Sequence, residues 1–241
     1  CNSELHSICG DVLMSFGAKF VGNSGQVIID QDHPCLHLVA SGTYPATNAQ
    51  IINVSYPSPV QSPLPPFVFF CPNGSHHITM FQHAGSAGNW TGFSFYVKVF
   101  QDTSGVVLGG KWKACAVFMP KTGGWGMQIF DNQSRVVFDS NRDLVRFISG
   151  TQMLNYYGTN GNYLGYYTLH SWSAPWPHGT DGYFLVSHFN VQAQPPQGDT
   201  GECSIGFVTS ARNTVVATVQ VGGPGQDAIR TPFPWPLLAI A

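Results

Sequence analysis

The most constraining feature of the sequence is an internal repeat, in which residues 125–151 are a diverged copy of residues 16–43. With one gap, the two copies share matched residues and end in the same Ser-Gly-Thr tripeptide. The spacing between them is about the size of a small β-domain, so the repeat predicts a chain built twice from one unit. The residues that define the repeat are Gly17 with Gly126, Asn23 with Asn132, and Asp30 with Asp139.

Each copy begins with a sequence typical of a β-hairpin. In the first copy, residues 16–21 and 26–30 flank a Gly-Asn-Ser-Gly turn, and Gly and Asn tolerate the positive φ that tight turns require. The second copy predicts strands at 125–130 and 135–139 around a turn at 131–134. After the gap, residues 36–40 and 144–148 predict a third strand in each copy.

Asp30 and Asp139 fall at the end of the second predicted strand of each hairpin. A carboxylate in this position can accept backbone N–H bonds and close the following turn. We therefore predict a structural role for both, in preference to a catalytic one.

Most of the remaining chain consists of short β-type segments separated by turn residues, without a long 3.6-residue periodicity. This pattern predicts an all-β protein of two tandem sandwich-like domains that arose by internal duplication. The predicted divisions are an N-terminal arm at 1–13, a first domain at 14–123 with a Pro-rich crossover at 56–66, a second domain at 124–222, and a Pro-rich C-terminal tail at 223–241.

Charged residues make up only 9% of the chain and the net charge is −2. This balance provides no electrostatic footprint for nucleic acid, and no apolar run is long enough to predict a membrane span. Because a free monomer is usually kept in solution by charge, the composition predicts a surface partly covered by partners. The six scattered cysteines indicate free thiols made in a reducing cytoplasm, with a Cys1–Cys9 link left open.

Sequence motifs for catalysis or metal binding are weak. His76, His77 and His83 are the densest histidine group, but in a strand His76 and His77 point to opposite faces and His83 lies about 20 Å from His77. No zinc-protease helix, CxxC pair or nucleophile elbow is present. We predict a protein that is not an enzyme, with no catalytic residue, metal or cofactor.

The richest candidate segment is 155–178, which places aromatic rings among Asn, Gly and Ser. Such rings can stack on sugars or anchor a protein interface, and the competing interpretation is that half of them belong to the core. The candidate ligand or interface residues are Tyr156, Tyr157, Tyr163, Trp172, Trp176 and His178.

The repeated hairpin resembles one found in small tail-tip and baseplate proteins of long-tailed (siphovirus-type) bacteriophages. The resemblance rests on the start Met14-Ser15-Phe16-Gly17, on residues 125–132, and on Phe138-Asp139-Ser140, which together cover about a quarter of the chain. The residues ahead of Met14 depart from the usual start and would form an added arm or reflect earlier translation.

This resemblance implies a structural virion protein of the tail tip or baseplate, assembled in the host cytoplasm and acting through subunit contacts. Its implied partners are other tail proteins, such as the hub, the end of the tail tube or a fibre, and copies of itself. The alternative is a receptor- or carbohydrate-binding module that uses residues 155–178 on a host surface glycan or pilus.

Overall fold

The computed structural model describes residues 19–21, 27–30, 32–46, 50–98, 109–163, 167–179, 181–187, 192–193, 201–207, 213–222 and 237–241. Every regular element in these ranges is a strand, which confirms the all-β prediction. None of the described residues forms a helix of the length and apolarity needed to cross a membrane. The strands are β1 Lys19–Val21, β2 Val27–Asp30, β3 His37–Tyr44, β4 Gln50–Val60, β5 Phe67–Pro72, β6 His77–Ser86, β7 Asn89–Lys98, β8 Gly110–Ala116, β9 Gln128–Phe130, β10 Val136–Asp139, β11 Phe147–Thr151, β12 Asn155–Tyr163, β13 Tyr167–Pro175, β14 Tyr183–Leu185, β15 Gln192–Ala193, β16 Gly201–Phe207, β17 Thr214–Gly222 and β18 Leu237–Ile240.

Two large antiparallel sheets enclose one hydrophobic core, as in a β-sandwich. One sheet has the order β11-β18-β14-β5-β8-β3. The other has the order β12-β13-β17-β16-β6-β7-β4, and β15 pairs with β16 off this path as its eighth strand. Alternate residues of each strand point inward because the side-chain period of a strand is two. The resulting central core includes Val68, Phe70, Trp112, Phe184 and Ala239 from the first sheet and Phe93, Phe95, Trp172, Ile205 and Ala217 from the second.

The same order of strands occurs twice in this sandwich. In the six-stranded sheet, β3-β8-β5 comes from the first half of the chain and β11-β18-β14 comes from the second. In the other sheet, β4-β7-β6 and β13-β17-β16 correspond in the same way, and β12 is an additional strand of the second half. The common ancestry of the two halves stays a prediction, but their topology is shared well beyond the segments that match in sequence.

The two halves are joined edge to edge. β5 pairs with β14 in one sheet and β6 pairs with β16 in the other, both antiparallel. The predicted division at residue 123 therefore does not separate the sheets, since each sheet and the central core take strands from both sides of it. The predicted tail at 223–241 also contains β18, which lies between β11 and β14.

The outer face of the six-stranded sheet carries a second apolar cluster, formed by Leu36, Phe69, Cys115, Val117, Leu185 and Ile240. The segment 143–146 bonds to the edge strand β3 and to the residue that follows β18, the strand next to the opposite edge. Leu38 N–H donates to the Asp143 carbonyl at 2.9 Å on the β3 side, and Ala241 N–H donates to the Arg146 carbonyl at 3.4 Å on the β18 side. This segment thus links the two edge regions of one sheet.

Both predicted hairpins form, and their strands pair in the same way. Lys19 and Phe20 of β1 lie opposite Asp30 and Ile29, and the register then shifts so that Val21 lies opposite Val27. In the second hairpin, Gln128 and Ile129 lie opposite Asp139 and Phe138. The same register shift then places Phe130 opposite Val136. The two hairpins therefore share the position of their register shift as well as their sequence.

The sequence match after the gap does not hold in three dimensions. Gly42 lies opposite Trp112, and a Cβ on it would meet the indole ring on the core side of the sheet at 2.8 Å. Its sequence partner Gly150 lies opposite Leu238, whose side chain packs in the outer cluster. A side chain at position 42 would therefore point to the core face of the sheet, and one at position 150 would point to the outer face. The faces differ because the register shifts of β3 and β11 lie at different places.

The Pro-rich segment 56–66 begins inside β4. Pairing of β4 with β7 is regular from Gln50 to Ser55 and shifts before it resumes at Val60. Pro57 and Pro59 fall within this shift, as expected for residues that lack a backbone N–H.

Candidate interface residues

The aromatic segment 155–178 forms two adjacent strands at one end of the eight-stranded sheet. β12 pairs with β13, and Tyr156 lies opposite Trp172. The two rings form an edge contact with centroids 5.7 Å apart. Because Tyr156 is half-buried beside the central core, this pair is mainly a packing contact.

The two tryptophans proposed as ligand plates are core residues. Trp172 and Trp176 are only 4% and 3% exposed. The Trp176 ring makes edge contacts with Phe184 and Phe207, with centroids 5.7 and 6.0 Å apart. Neither indole face is available to a sugar, so the interpretation of these rings as core is confirmed.

The other candidates of this segment are more peripheral. Tyr157 is 66% exposed on the edge strand β12. His178 is half-buried, and its Nε2 lies 2.6 Å from Ser149 Oγ on β11, so it connects the turn after β13 to the other sheet. The side chain of Tyr163 lies outside the described residues, as do Gly17, Asn23 and the side chain of Asp30.

The structure identifies a surface residue that the sequence analysis assigned only to a strand. Trp125 is 100% exposed in the loop before β9, which begins at Gln128 rather than at Trp125. Gly124 has a φ of 96°, and a Cβ on Gly126 would approach Ser140 Oγ to 2.6 Å, so the loop depends on both glycines. Three glycines around one tryptophan were the signal for a loop in the sequence.

Two further apolar side chains of the same region are exposed. Met127 is 41% exposed and Phe130 is 42% exposed, whereas Ile129 between them is buried. Ile129, Val137 and Phe138 hold the hairpin against the rest of the protein, where Cys35 and Phe118 pack on them. The hairpin is thus anchored by one set of apolar side chains while others remain exposed, and we use the name hairpin patch for the exposed Trp125, Met127 and Phe130.

Asp139 holds the base of this hairpin. The residue is fully buried, and its Oδ2 accepts hydrogen bonds from the Thr122 N–H at 3.0 Å, the Thr122 hydroxyl at 2.8 Å and the Gln128 side-chain amide at 2.8 Å. Its Oδ1 accepts the Asn141 N–H at 3.0 Å, which closes the turn after β10. The predicted structural role of Asp139 is confirmed.

The surroundings of Asp139 keep it ionised. Burial by itself would raise the pKa of this carboxyl, but the hydrogen bonds from Asn141, Thr122 and Gln128 outweigh it and lower the pKa to about 2. At the other end of the hairpin, Asp131 accepts the Gln133 and Arg135 N–H groups and pairs with the Arg135 guanidinium at 2.7 Å. Asn132 is exposed in the turn at this end.

Several histidines are buried and neutral. His76 Nε2 lies 2.8 Å from the Tyr44 hydroxyl, and His77 Nδ1 lies 3.1 Å from Ser204 Oγ. Burial lowers the pKa of His76 to about 4, that of His77 to about 3, and that of His83 to about 4. Among the described residues no group of three His, Cys, Asp or Glu side chains is arranged to hold a metal ion, and Cys35, Cys71, Cys115 and Cys203 form no disulfide bond.

Comparison of the chain with protein-family models, with curated proteins and with solved structures finds no match in any of the three.

Proposed function

We propose that this protein is a non-enzymatic structural component of a multi-subunit assembly, of the kind found at the tail tip or baseplate of a long-tailed bacteriophage. It works by burying apolar side chains against neighbouring subunits. The bacteriophage context comes from the resemblance of the hairpin sequence, and the mode of action comes from the surface of the protein.

The observation that carries the proposal is the complete exposure of Trp125 in the loop before β9. Exposed single hydrophobic residues are common, but tryptophan is the residue most enriched at the energetic centres of interfaces. Met127 and Phe130 are also exposed, next to and on the hairpin that follows this loop, and the base of that hairpin is fixed by the buried Asp139.

Composition supports the same mode of action. Only 9% of the residues are charged, so electrostatic repulsion does little to prevent association of an exposed apolar surface. Covering the hairpin patch in an assembly would remove its apolar surface from water.

The alternative, a carbohydrate- or receptor-binding module built on residues 155–178, has lost its two strongest residues, because Trp172 and Trp176 lie in the core. Of the candidate tyrosines with described side chains, only Tyr157 presents most of its surface to solvent. This alternative would depend on Tyr157 and its neighbours alone.

The proposal is tested by co-expressing the chain with the products of the genes that flank its own, and by purifying any complex that forms. Trp125→Ala should leave the unfolding midpoint unchanged and weaken the complex by about 2 kcal/mol or more, the effect of removing an interface hot spot. Tyr157→Ala, at another exposed aromatic on a different strand, should leave the complex intact.

Three results would overturn the proposal. The first is a set of neighbouring genes with no tape-measure or hub gene, from which no product binds the chain. The second is a complex that Trp125→Ala does not weaken. The third is host-surface binding that depends on Tyr157.

A further inference from the structure

The two halves of the eight-stranded sheet end differently. In the second half, β13 is followed outward by β12, whereas in the first half the corresponding strand β4 is the last of the strands that the structure describes in this sheet. On β4, Ile51 is 60% exposed, and Asn53 and Ser55 are also exposed. Among the described residues no strand pairs with the outward edge of β4, and these side chains along it are exposed.

The additional strand changes the burial of the inward-facing side chains. Trp172 and Ala174 on β13, which β12 flanks, are each 4% exposed. Ile52 and Val54 on β4 also point to the central core but are only partly buried. In the second half β12 covers this edge of the central core, and in the first half no described strand takes its place.

We infer that the outward edge of β4 is covered by β4 of a second copy of this chain, so that two eight-stranded sheets join into one. The inference deepens the proposed function and rests on it, because it makes a second copy one of the subunits that the chain contacts. Pairing of this kind supplies partners for the outward backbone N–H and C=O groups of the edge strand.

A second copy fits this edge in three respects. Residues 51–55 contain no charge and no proline, so two copies can run antiparallel without like-charge repulsion. With Asn53 opposite Asn53 of the other copy, Ile52 faces Val54 and the inward side of the sheet stays apolar across the junction. The protein already joins its own halves by antiparallel pairing of corresponding strands, β6 with β16.

The opposite edge of the same sheet is less suited to pairing. The register of β12 shifts between Tyr156 and Gly158 and again between Asn160 and Tyr163. Such irregularities blunt an edge strand, whereas β4 is regular from Gln50 to Ser55. Pro57 and Pro59 limit the junction to this short regular stretch.

The test is the oligomeric state of the full chain, measured by sedimentation velocity over a wide range of concentrations. The unaltered chain should form dimers. Asn53→Lys places two ammonium groups opposite each other and should raise the dissociation constant about tenfold or more, with partial recovery at high salt. Asn53→Thr, which is uncharged and favours strands, should still form dimers.

The matched control is Tyr157→Lys, which adds the same charge to the β12 edge and should leave the dimer intact. A disulfide crosslink provides a test that does not depend on the folding of the lysine variant. Asn53→Cys should form an oxidised dimer that neither the unaltered chain nor Tyr157→Cys forms. The inference is overturned by a monomeric unaltered chain, by a dimer that Asn53→Lys leaves unchanged, or by one that only Tyr157→Lys dissociates. Trp125→Ala should not alter this dimer, so a failure of the hairpin patch and a failure of the β4 edge are distinguishable.

Discussion

Phe70 on β5 and Phe184 on β14 lie directly opposite each other where the two halves of the six-stranded sheet join. Both side chains are fully buried in the central core. The junction between the halves is therefore a line of backbone pairing covered by core packing, unlike a linker between two independent domains.

We predict that neither half folds alone. A fragment of residues 1–123 would expose the edges of β5 and β6, and a fragment of residues 124–241 would expose the edges of β14 and β16. Each fragment should lack a cooperative unfolding transition and show weak near-ultraviolet circular dichroism, while the two co-expressed fragments should associate and regain both signals. A cooperative transition in either isolated fragment would restore the tandem-domain organisation predicted from the sequence.

Trp172→Ala is expected to destabilise the protein by about 3–5 kcal/mol, as does removal of other large buried rings. The side chain is 4% exposed and packs in the central core. Urea unfolding followed by circular dichroism measures the change, and Tyr157→Ala, at 66% exposure, should shift the transition little. Equal effects of the two substitutions would contradict the described burial.

Asp139→Asn should loosen the base of the second hairpin. The substitution removes the negative charge that receives four hydrogen bonds from Thr122, Gln128 and Asn141, and a bond to a charged group contributes about 1.5–3 kcal/mol. A loss of this size in the free energy of unfolding is the expected result. Asp143→Asn, whose side chain is exposed, is the control and should change stability by about 0.5 kcal/mol or less.

Stability should fall with acid in a window set by the buried histidines. The pKa values of His76, His77 and His83 are lowered from 6.5 to about 4, 3 and 4, so below pH 6.5 the unfolded chain binds protons that the folded chain does not. The stability present above pH 6.5 is therefore lost progressively as the pH falls toward 4 and 3. For a fully buried histidine the slope approaches about 1.4 kcal/mol per pH unit.

The carboxyl of Asp139 extends this loss to lower pH. Its pKa is about 2 in the folded protein, against an ordinary value of 3.8, so its contribution is present above pH 3.8 and is lost as the pH falls through 2. Urea midpoints measured across the pH range check both windows. His76→Gln, which can still bond to the Tyr44 hydroxyl, should reduce the slope between pH 6.5 and 4, and a flat profile in that interval would refute the assignment.

Much of the local structure follows from the sequence. The hairpin of β9 and β10, with its turn and its closing carboxylate, follows from the sequence because turn residues and alternation act between neighbours along the chain. The short β-type segments predicted between turn residues likewise form strands such as β4, β5 and β6. The repeat predicts Trp125 in a strand, but the residue lies outside it because the glycines on both sides favour a loop, and β9 begins only at Gln128.

The sequence by itself determined that this chain is all-β and that one hairpin occurs twice, because both depend on patterns a few residues long. Only the tertiary structure decided that the halves share their sheets, that β18 belongs to the interior, and that Trp172 is buried while Trp125 is exposed. Those outcomes depend on which distant strands pair edge to edge. Strand pairing satisfies backbone groups that are the same in every residue, so the order of strands leaves little trace in a single sequence.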